Sequence, residues 1–248
     1  MSRNTTKTDD DLTFGIYCMS YKRSSQIKTL HLLEYCTYVV RAEEEELYRA
    51  AGVTDLLVIP EGEAWSFMST LYWIIAHTPE DVIYVVDDDL ENYCYRIIDR
   101  DNIVLKDGTP DKETITAEIE RIAQLIADLD IGLAFDQNNV AQYVYHEEFK
   151  FMGIPAHMRW INKKALKAKY DKDDPAASDV DMMMQELLYN RVVLQPRYFV
   201  CLAHMDTNEG AYRTRQGHLV LIDALRNKWG KYYDYNHKRN IPIINVKR

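Results

Sequence analysis

Three consecutive carboxylates at the end of an apolar run are the strongest chemical signal in this sequence. Asp87, Asp88 and Asp89 follow directly on Val82–Val86, and a continuous apolar run of this kind is typical of a central strand covered on both faces. In an extended chain, Asp87 and Asp89 point to one side and Asp88 to the other. Because carboxylates this close repel one another, the triplet predicts a divalent cation with oxygen ligands. An acidic turn open to water is the alternative.

A second acidic motif begins the predicted helix Ser178–Leu188. Either Ser178 or Asp179 can cap this helix by accepting hydrogen bonds from its first amide groups. A carboxylate at a helix start beside a metal site also stays ionised, as a general base must. Asp179 is therefore predicted to be either a helix cap or the base of a reaction.

A cationic turn follows the first predicted strand, Thr13–Met19. The turn contains Ser20, Tyr21, Lys22 and Arg23. An aromatic ring can stack on a nucleobase, and the neighbouring cations can meet phosphates. The turn contains no glycine, which argues against the glycine-rich phosphate loop of a nucleotidyltransferase.

Charge is distributed unevenly along the 248 residues. The segment 197–248 has ten Lys and Arg residues against four acids, so its net charge is +6 in a chain of −9, and residues 1–196 carry −15. The aromatic residues Tyr212, Trp229, Tyr232, Tyr233 and Tyr235 interleave with these cations. A basic, aromatic segment suits a polyanionic partner such as DNA, and a solvated surface with core tyrosines is the alternative.

The order of elements predicts an α/β fold with a central, mostly parallel sheet. Strands at Thr13–Met19, Thr37–Val40, Asp55–Ile59 and the run into Asp87 alternate with helical segments. The predicted helices are Lys28–Cys36, Glu43–Ala51, Ala64–His77 and Thr114–Leu129. After Asp89, we predict further strands at Tyr93–Ile98, Asn102–Leu105, Gly132–Phe135, Met158–Ile161, Val192–Leu194 and Tyr198–Leu202. A basic helical turn is predicted at Lys163–Lys169.

These motifs, in this order, resemble the GT-A fold of nucleotide-sugar glycosyltransferases. Ala156–Leu166 is similar to the acceptor-side strand and basic turn of that family, and Ser178–Met182 is similar to its second acidic motif, usually Glu-Asp-x-Asp. This chain has Ser178 where the family usually has Glu, but Asp179 keeps the position of the base. The resemblance implies a Rossmann-like nucleotide-binding half plus an acceptor half.

Within this family, Thr37–Arg41, Asp55–Pro60 and Asp87–Asp89 look most like the phage TET-associated glycosyltransferases. Those enzymes add sugar to hydroxylated pyrimidines in DNA. The resemblance implies an acceptor such as 5-hydroxymethylcytosine in phage DNA, a UDP-sugar or another nucleoside diphosphate sugar as donor, and Mn²⁺ or Mg²⁺ as cofactor. Transfer with Asp179 as base would invert the anomeric carbon.

The resemblance also implies a role for individual residues. The donor would be bound by Ser20, Tyr21, Lys22, Arg23, Asp87 and Asp88. The metal would be bound by Asp89 and a late histidine, of which His204 and His218 both qualify and His218, after a predicted lid at Asp206–Gly217, is preferred. The acceptor would be bound by Arg159, Trp160, Arg213 and Arg215.

The remaining expectations concern organisation and location. Residues 1–12 are polar and predict a disordered arm without signal-peptide character, followed by a single domain at 13–248. The four cysteines are far apart in the sequence, which indicates buried, reduced thiols and a cytoplasmic protein. If a phage encodes the protein, the expected location is the host cytoplasm. We expect no membrane partner. The alternatives are a glycosyltransferase acting on a protein, glycan or small molecule, a nucleotidyltransferase, and a non-enzymatic DNA-binding module.

Overall fold

The computed structural model describes residues 12–97, 100–136, 147–203 and 214–247. Its centre is a six-stranded sheet. The strands are β1 (Phe14–Met19), β2 (Thr37–Arg41), β3 (Leu56–Ile59), β4 (Val82–Asp87), β7 (Leu133–Phe135) and β9 (Met158–Asn162). Their order across the sheet is β3-β2-β1-β4-β9-β7. The first four are mutually parallel, and β9 runs antiparallel to both β4 and β7. The predicted α/β class with a mostly parallel sheet is confirmed.

Helices cover both faces of this sheet, because its strands are apolar on both sides. Alternate residues of β4 enter different clusters: Tyr84 and Val86 pack with α3 (Lys112–Asp128), whereas Ile83 and Val85 pack with α2 (Phe67–His77) and α4 (Asp179–Tyr189). This two-sided burial explains the unbroken apolar run at Val82–Val86. The short helix α1 (Glu45–Ala50) connects β2 to β3.

Smaller units surround the central sheet. Strands β5 (Leu90–Arg96), β6 (Arg100–Asn102) and β11 (Phe199–Ala203) form an antiparallel sheet, and β8 (Phe149–Lys150) pairs with β10 (Gln195–Pro196). The chain continues in α5 (Arg215–Trp229) and the hairpin of β12 (Tyr233–Asn236) and β13 (Ile241–Ile244). Leu225 and Tyr233 pack into the cluster that contains α4.

Some predicted elements differ from the observed ones. Lys28–Cys36 contains only a 3-10 helical turn at Thr29–Leu32. Lys163–Lys169 forms a turn followed by irregular chain, with no helix. Lys163 donates instead to the carbonyl of Thr78 at 2.6 Å, which ties this segment to the end of α2. Strand pairing at Val192–Leu194 is limited to a bridge at Leu194.

The four cysteines are free and buried, as predicted. In the described residues, every helix is too short or too polar to cross a membrane.

Candidate functional site

Three segments meet at the carboxyl edge of the central sheet. Because β1 and β4 are parallel and Met19 lies beside Asp87, the turn after β1 is adjacent to the acidic triplet. The antiparallel β9 begins at the same edge, and the amide of Asp87 donates to the carbonyl of His157 at 3.2 Å. Open α/β sheets characteristically bind ligands at this edge.

Asp87, Asp89 and His157 form a cluster that could hold a metal ion. One ligand atom from each lies within 4.8 Å of the others, and Nδ1 of His157 is 3.1 Å from Oδ2 of Asp87. Two carboxylates and an imidazole are a donor set that suits a divalent ion such as Mn²⁺. Sequence reasoning missed His157. The signal was its position directly before a strand, Met158–Ile161, that was itself predicted.

The charges around Asp87 favour an ionised carboxylate. Burial alone would raise its pKa, but the charge of Arg159 and the hydrogen bond from His157 lower the pKa of Asp87 below its ordinary value. The same pairing acts on the imidazole: despite the opposing effect of burial, the Asp87 carboxylate raises the pKa of His157. In the absence of metal, the pair is therefore a hydrogen-bonded carboxylate and a readily protonated histidine.

Asp88 lies in the turn that follows β4 and is not part of this cluster. Its buried carboxylate accepts hydrogen bonds from the hydroxyl of Ser20 and the guanidinium of Arg23. Burial raises the pKa of Asp88 to about 6, although both partners oppose this effect. Arg23 also reaches Asp89 at 3.1 Å, so one guanidinium links the two acids. Ser20 and Asp88 therefore stabilise the turn after β1 through hydrogen bonds with other protein groups.

Tyr21 and Lys22 lie beside the site on the same turn. The guanidinium of Arg41, at the end of β2, lies 4.1 Å from the centroid of the Tyr21 ring, and Nζ of Lys22 lies 5.0 Å from it. Lys22 has a positive φ of 57°, and its amide donates to Glu44 at 2.5 Å. The turn thus presents an aromatic ring flanked by two cations.

In the second acidic motif, Ser178 and its neighbour Asp179 have different surroundings. Ser178 caps α4 by accepting from the amide of Asp181 at 3.1 Å, so capping falls to Ser178. Asp179 is left one-third exposed, with its Oδ2 3.9 Å from the guanidinium of Arg159. Asp181 is buried and structural: it accepts from Nε1 of Trp229 and from Nζ of Lys228, each at 2.8 Å, and so anchors α5 to α4.

Arg159 and Trp160 do not present side chains to an acceptor in the way that the sequence suggested. Arg159 is 4% exposed; it donates to the carbonyl of Ala156 at 2.5 Å and lies 3.4 Å from Asp87. Trp160 is fully buried, where Nε1 donates to the carbonyl of Ile119 in α3 at 3.0 Å. Adjacent residues of β9 face opposite sides of the sheet, so Trp160 belongs to the core and its assignment to acceptor binding is wrong.

The late basic residues are only partly described. His218 lies in α5 and contacts the hydroxyl of Tyr235 at 2.9 Å, and the metal-type cluster found in the described residues contains His157 in its place. Arg215 is the exposed first residue of α5. Arg213 and His204, with most of the predicted lid, lie outside the described residues.

Asp136 is a further buried acid that sequence reasoning did not identify. It follows β7, is inaccessible to solvent, and accepts from the amide of Met158 at 2.9 Å and from Sγ of Cys201 at 3.3 Å. Burial raises the pKa of Asp136, and the nearby His157 opposes that shift. This carboxylate fixes the start of β9, the point at which His157 enters the site.

Comparison with known proteins shows the fold. No family model matches the chain, and no curated protein matches it in sequence. Solved structures do match: glucosyl-3-phosphoglycerate synthase from Mycobacterium tuberculosis with phosphoglyceric acid has a TM-score of 0.53 at 10% identity, covering 88% of this chain and 80% of that one. The same enzyme with Mn²⁺, UDP-glucose and glycerol 3-phosphate gives 0.52 at 10% identity and the same coverage.

A third structure of that enzyme, with Mn²⁺, UDP and phosphoglyceric acid, has a TM-score of 0.51 at 10% identity over 94% of this chain and 86% of that one. At 10% sequence identity, structural similarity shows that the helices and strands are arranged alike. With its mostly parallel sheet flanked by helices, this chain therefore has the GT-A-type α/β fold that its motifs predicted.

Proposed function

We propose that this protein is a metal-dependent glycosyltransferase that moves a sugar from a nucleoside diphosphate sugar to an acceptor hydroxyl. The observation that carries the proposal is the Asp87, Asp89 and His157 cluster at the carboxyl edge of a GT-A-type sheet. The similar solved structures include one with Mn²⁺ and UDP-glucose. A UDP-sugar is accordingly the first donor to test.

The donor half of the site has the chemistry that such a substrate needs. Asp89 and His157, with Asp87, would hold Mn²⁺ or Mg²⁺, which when bound neutralises charge on a diphosphate leaving group. Asp87 would also contact the ribose or the sugar of the donor. The Tyr21 ring offers a face for the nucleobase, and Lys22 and Arg23 supply positive charge for phosphates.

The acceptor half would use Asp179 as its base. The side chain is one-third exposed and lies beside Arg159, which also contacts Asp87, so one guanidinium connects the donor acid with the base. Taking the proton of the acceptor hydroxyl from the side opposite the leaving group would give inversion. General bases of this type contribute about 10²–10⁴-fold to rate.

The acceptor that we propose is a hydroxymethylated pyrimidine in DNA. The support is the +6 charge of residues 197–248 in an otherwise acidic chain, with Arg215 exposed at the start of α5. Phosphate contacts dominate affinity for DNA and make it fall with salt. A protein, glycan or small-molecule acceptor is the second candidate, because the donor site is common to all of them.

The donor assignment is tested by hydrolysis of a panel of nucleotide sugars with Mn²⁺, with Mg²⁺ and with a chelator. We expect cleavage of at least one UDP-sugar, lost on chelation. Cleavage that is unaffected by the chelator would contradict a metal-dependent site.

The acceptor assignment is tested by transfer to DNA containing 5-hydroxymethylcytosine across a salt series. Charge reversal at Arg215, alone and with Arg213, should raise the KM for DNA and leave donor hydrolysis unchanged. Robust donor hydrolysis without transfer to DNA at low salt would favour the second candidate acceptor.

A further inference from the structure

The first residue of α2 presents a large apolar ring at the edge of this site. Phe67 is 37% exposed, although a phenyl ring is stabilised by burial. Its backbone is fixed by a capping box in which Ser66 and Ser69 exchange hydrogen bonds. The turn therefore fixes the backbone from which the ring projects.

Arg159 contacts this ring and also approaches the two acids of the proposed reaction. The guanidinium carbon of Arg159 lies 4.5 Å from the centroid of Phe67. The same guanidinium is 3.4 Å from Asp87 and 3.9 Å from Asp179. The next residue, Met68, lines a small crevice together with Ser178 at the start of α4. Phe67 therefore packs against the guanidinium that approaches both acids.

We propose that Phe67 is the stacking platform for the acceptor, and that it selects acceptors whose hydroxyl is attached next to a flat, uncharged ring face. This inference rests on the proposed glycosyltransferase function. Arg159 contacts one part of the ring by a cation–π interaction, and the exposed part remains available to a ligand. Nucleobases and the apolar faces of pyranose rings share this stacking chemistry.

Binding measurements on small alcohols test the platform without the natural acceptor. The probes are 5-hydroxymethyl-2′-deoxycytidine, methyl glucoside and the ring-free alcohol glycerol, titrated by NMR onto protein saturated with UDP and Mg²⁺. We expect one of the two ring probes to bind more tightly than glycerol. Tighter binding of the nucleoside indicates a nucleobase acceptor, and tighter binding of methyl glucoside indicates a pyranose acceptor. Phe67→Ala and Phe67→Leu should weaken that probe about tenfold, which corresponds to about 1.4 kcal/mol, whereas Phe67→Tyr should retain it.

The matched control is Trp65→Ala, which removes an exposed aromatic side chain two positions earlier on the same turn. It should leave the ring probe within about twofold of wild type, and the melting temperature of each variant reports its folding. Unchanged ring affinity in both Phe67→Ala and Phe67→Leu, equal losses in Trp65→Ala, or no preference of the wild type for a ring would overturn the inference.

UDP binding in the same samples tests the proposed function separately from the role of Phe67. UDP binding that needs Mg²⁺, without ring selectivity, overturns the role of Phe67 alone. Absence of UDP binding in wild type overturns the proposed function and this inference with it.

Discussion

Nδ1 of His157 lies 3.1 Å from Oδ2 of Asp87 across the junction of β9 and β4. The backbone fixes this pair, because the amide of Asp87 donates to the carbonyl of His157 and Asp136 accepts from the following amide. Two residues that are seventy positions apart in the chain thus form one charged unit. A bound metal ion would compete with a proton for the imidazole of His157.

Metal affinity should therefore fall as the pH is lowered. Pairing with Asp87 raises the pKa of His157 above its ordinary value, and protonated imidazole has no lone pair for a metal. Affinity for Mn²⁺ is fully present above this raised pKa and is lost as the pH falls through it. Calorimetric titration at a series of pH values checks this, and His157→Gln should bind Mn²⁺ more weakly with less dependence on pH. An identical pH dependence in His157→Gln would exclude His157 as a ligand.

Asp89→Asn should abolish metal-dependent turnover and preserve the fold. The substitution removes one carboxylate from a crowded acidic cluster, and Arg23 retains its partner Asp88, so the melting temperature should stay the same or rise. The control is Glu91→Gln, two positions later, whose side chain is exposed and pairs with Lys28 at 3.5 Å. Full activity of Asp89→Asn at saturating donor and Mn²⁺ would remove Asp89 from the metal site.

Asp179→Asn should lower the rate of transfer by about 10²–10⁴-fold and change donor affinity little. The amide keeps the shape of the side chain but cannot take a proton. Asp173→Asn, in the exposed loop before α4, is the control for loss of a nearby acid. If donor affinity measured by calorimetry falls as steeply as turnover, Asp179 acts on the donor and another residue must be the base.

Asp181→Ala should destabilise the protein through the packing of α5. Its buried carboxylate accepts from Trp229, Lys228 and Gln185, and losing hydrogen bonds to a buried charge costs about 1.5–3 kcal/mol. Urea unfolding should show this loss for Asp181→Ala, whereas Asp179→Asn should unfold like wild type. Equal free energies of unfolding for Asp181→Ala and wild type would show that α5 does not depend on this anchor.

Stability should also depend on Asp88 in a specific direction. Because burial raises the pKa of Asp88 to about 6 in the folded protein, the folded state binds a proton more readily than the unfolded chain, whose Asp residues titrate near 3.9. The free energy of unfolding should therefore decrease as the pH rises through the interval between these values. Comparison of urea unfolding for wild type and Asp88→Asn over that interval measures the contribution. A difference between them that does not vary with pH would contradict this assignment.

Local patterns were enough to predict the central sheet and its acidic edge. The apolar run at Val82–Val86 indicated burial on both faces. The family resemblance implied one donor site for Ser20–Arg23 and the acidic triplet, and the pairing of β1 with β4 brings these segments together. The helix start at Ser178 was equally visible, because capping depends on neighbouring residues.

Contacts between distant segments were not visible in this way. His157 enters the site only because β9 runs antiparallel to β4, and no local pattern specifies that direction. Trp160 resembled an acceptor residue next to Arg159, yet the alternation of β9 turns it towards α3. Helix α5 was not predicted, although its cap at Thr214 and the spacing of Ile222 and Leu225 are local signals. Its contact with α4 through the Asp181 anchor is a tertiary contact that no local pattern specifies.

Calorimetric titration of UDP, with and without Mn²⁺, tests the central claim most directly. The account predicts that wild-type protein binds UDP much more tightly when Mn²⁺ is present, and that Asp89→Asn loses this enhancement while Glu91→Gln retains it. Binding of UDP with the same affinity in the presence and absence of Mn²⁺, or failure of the wild type to bind UDP under both conditions, would contradict it.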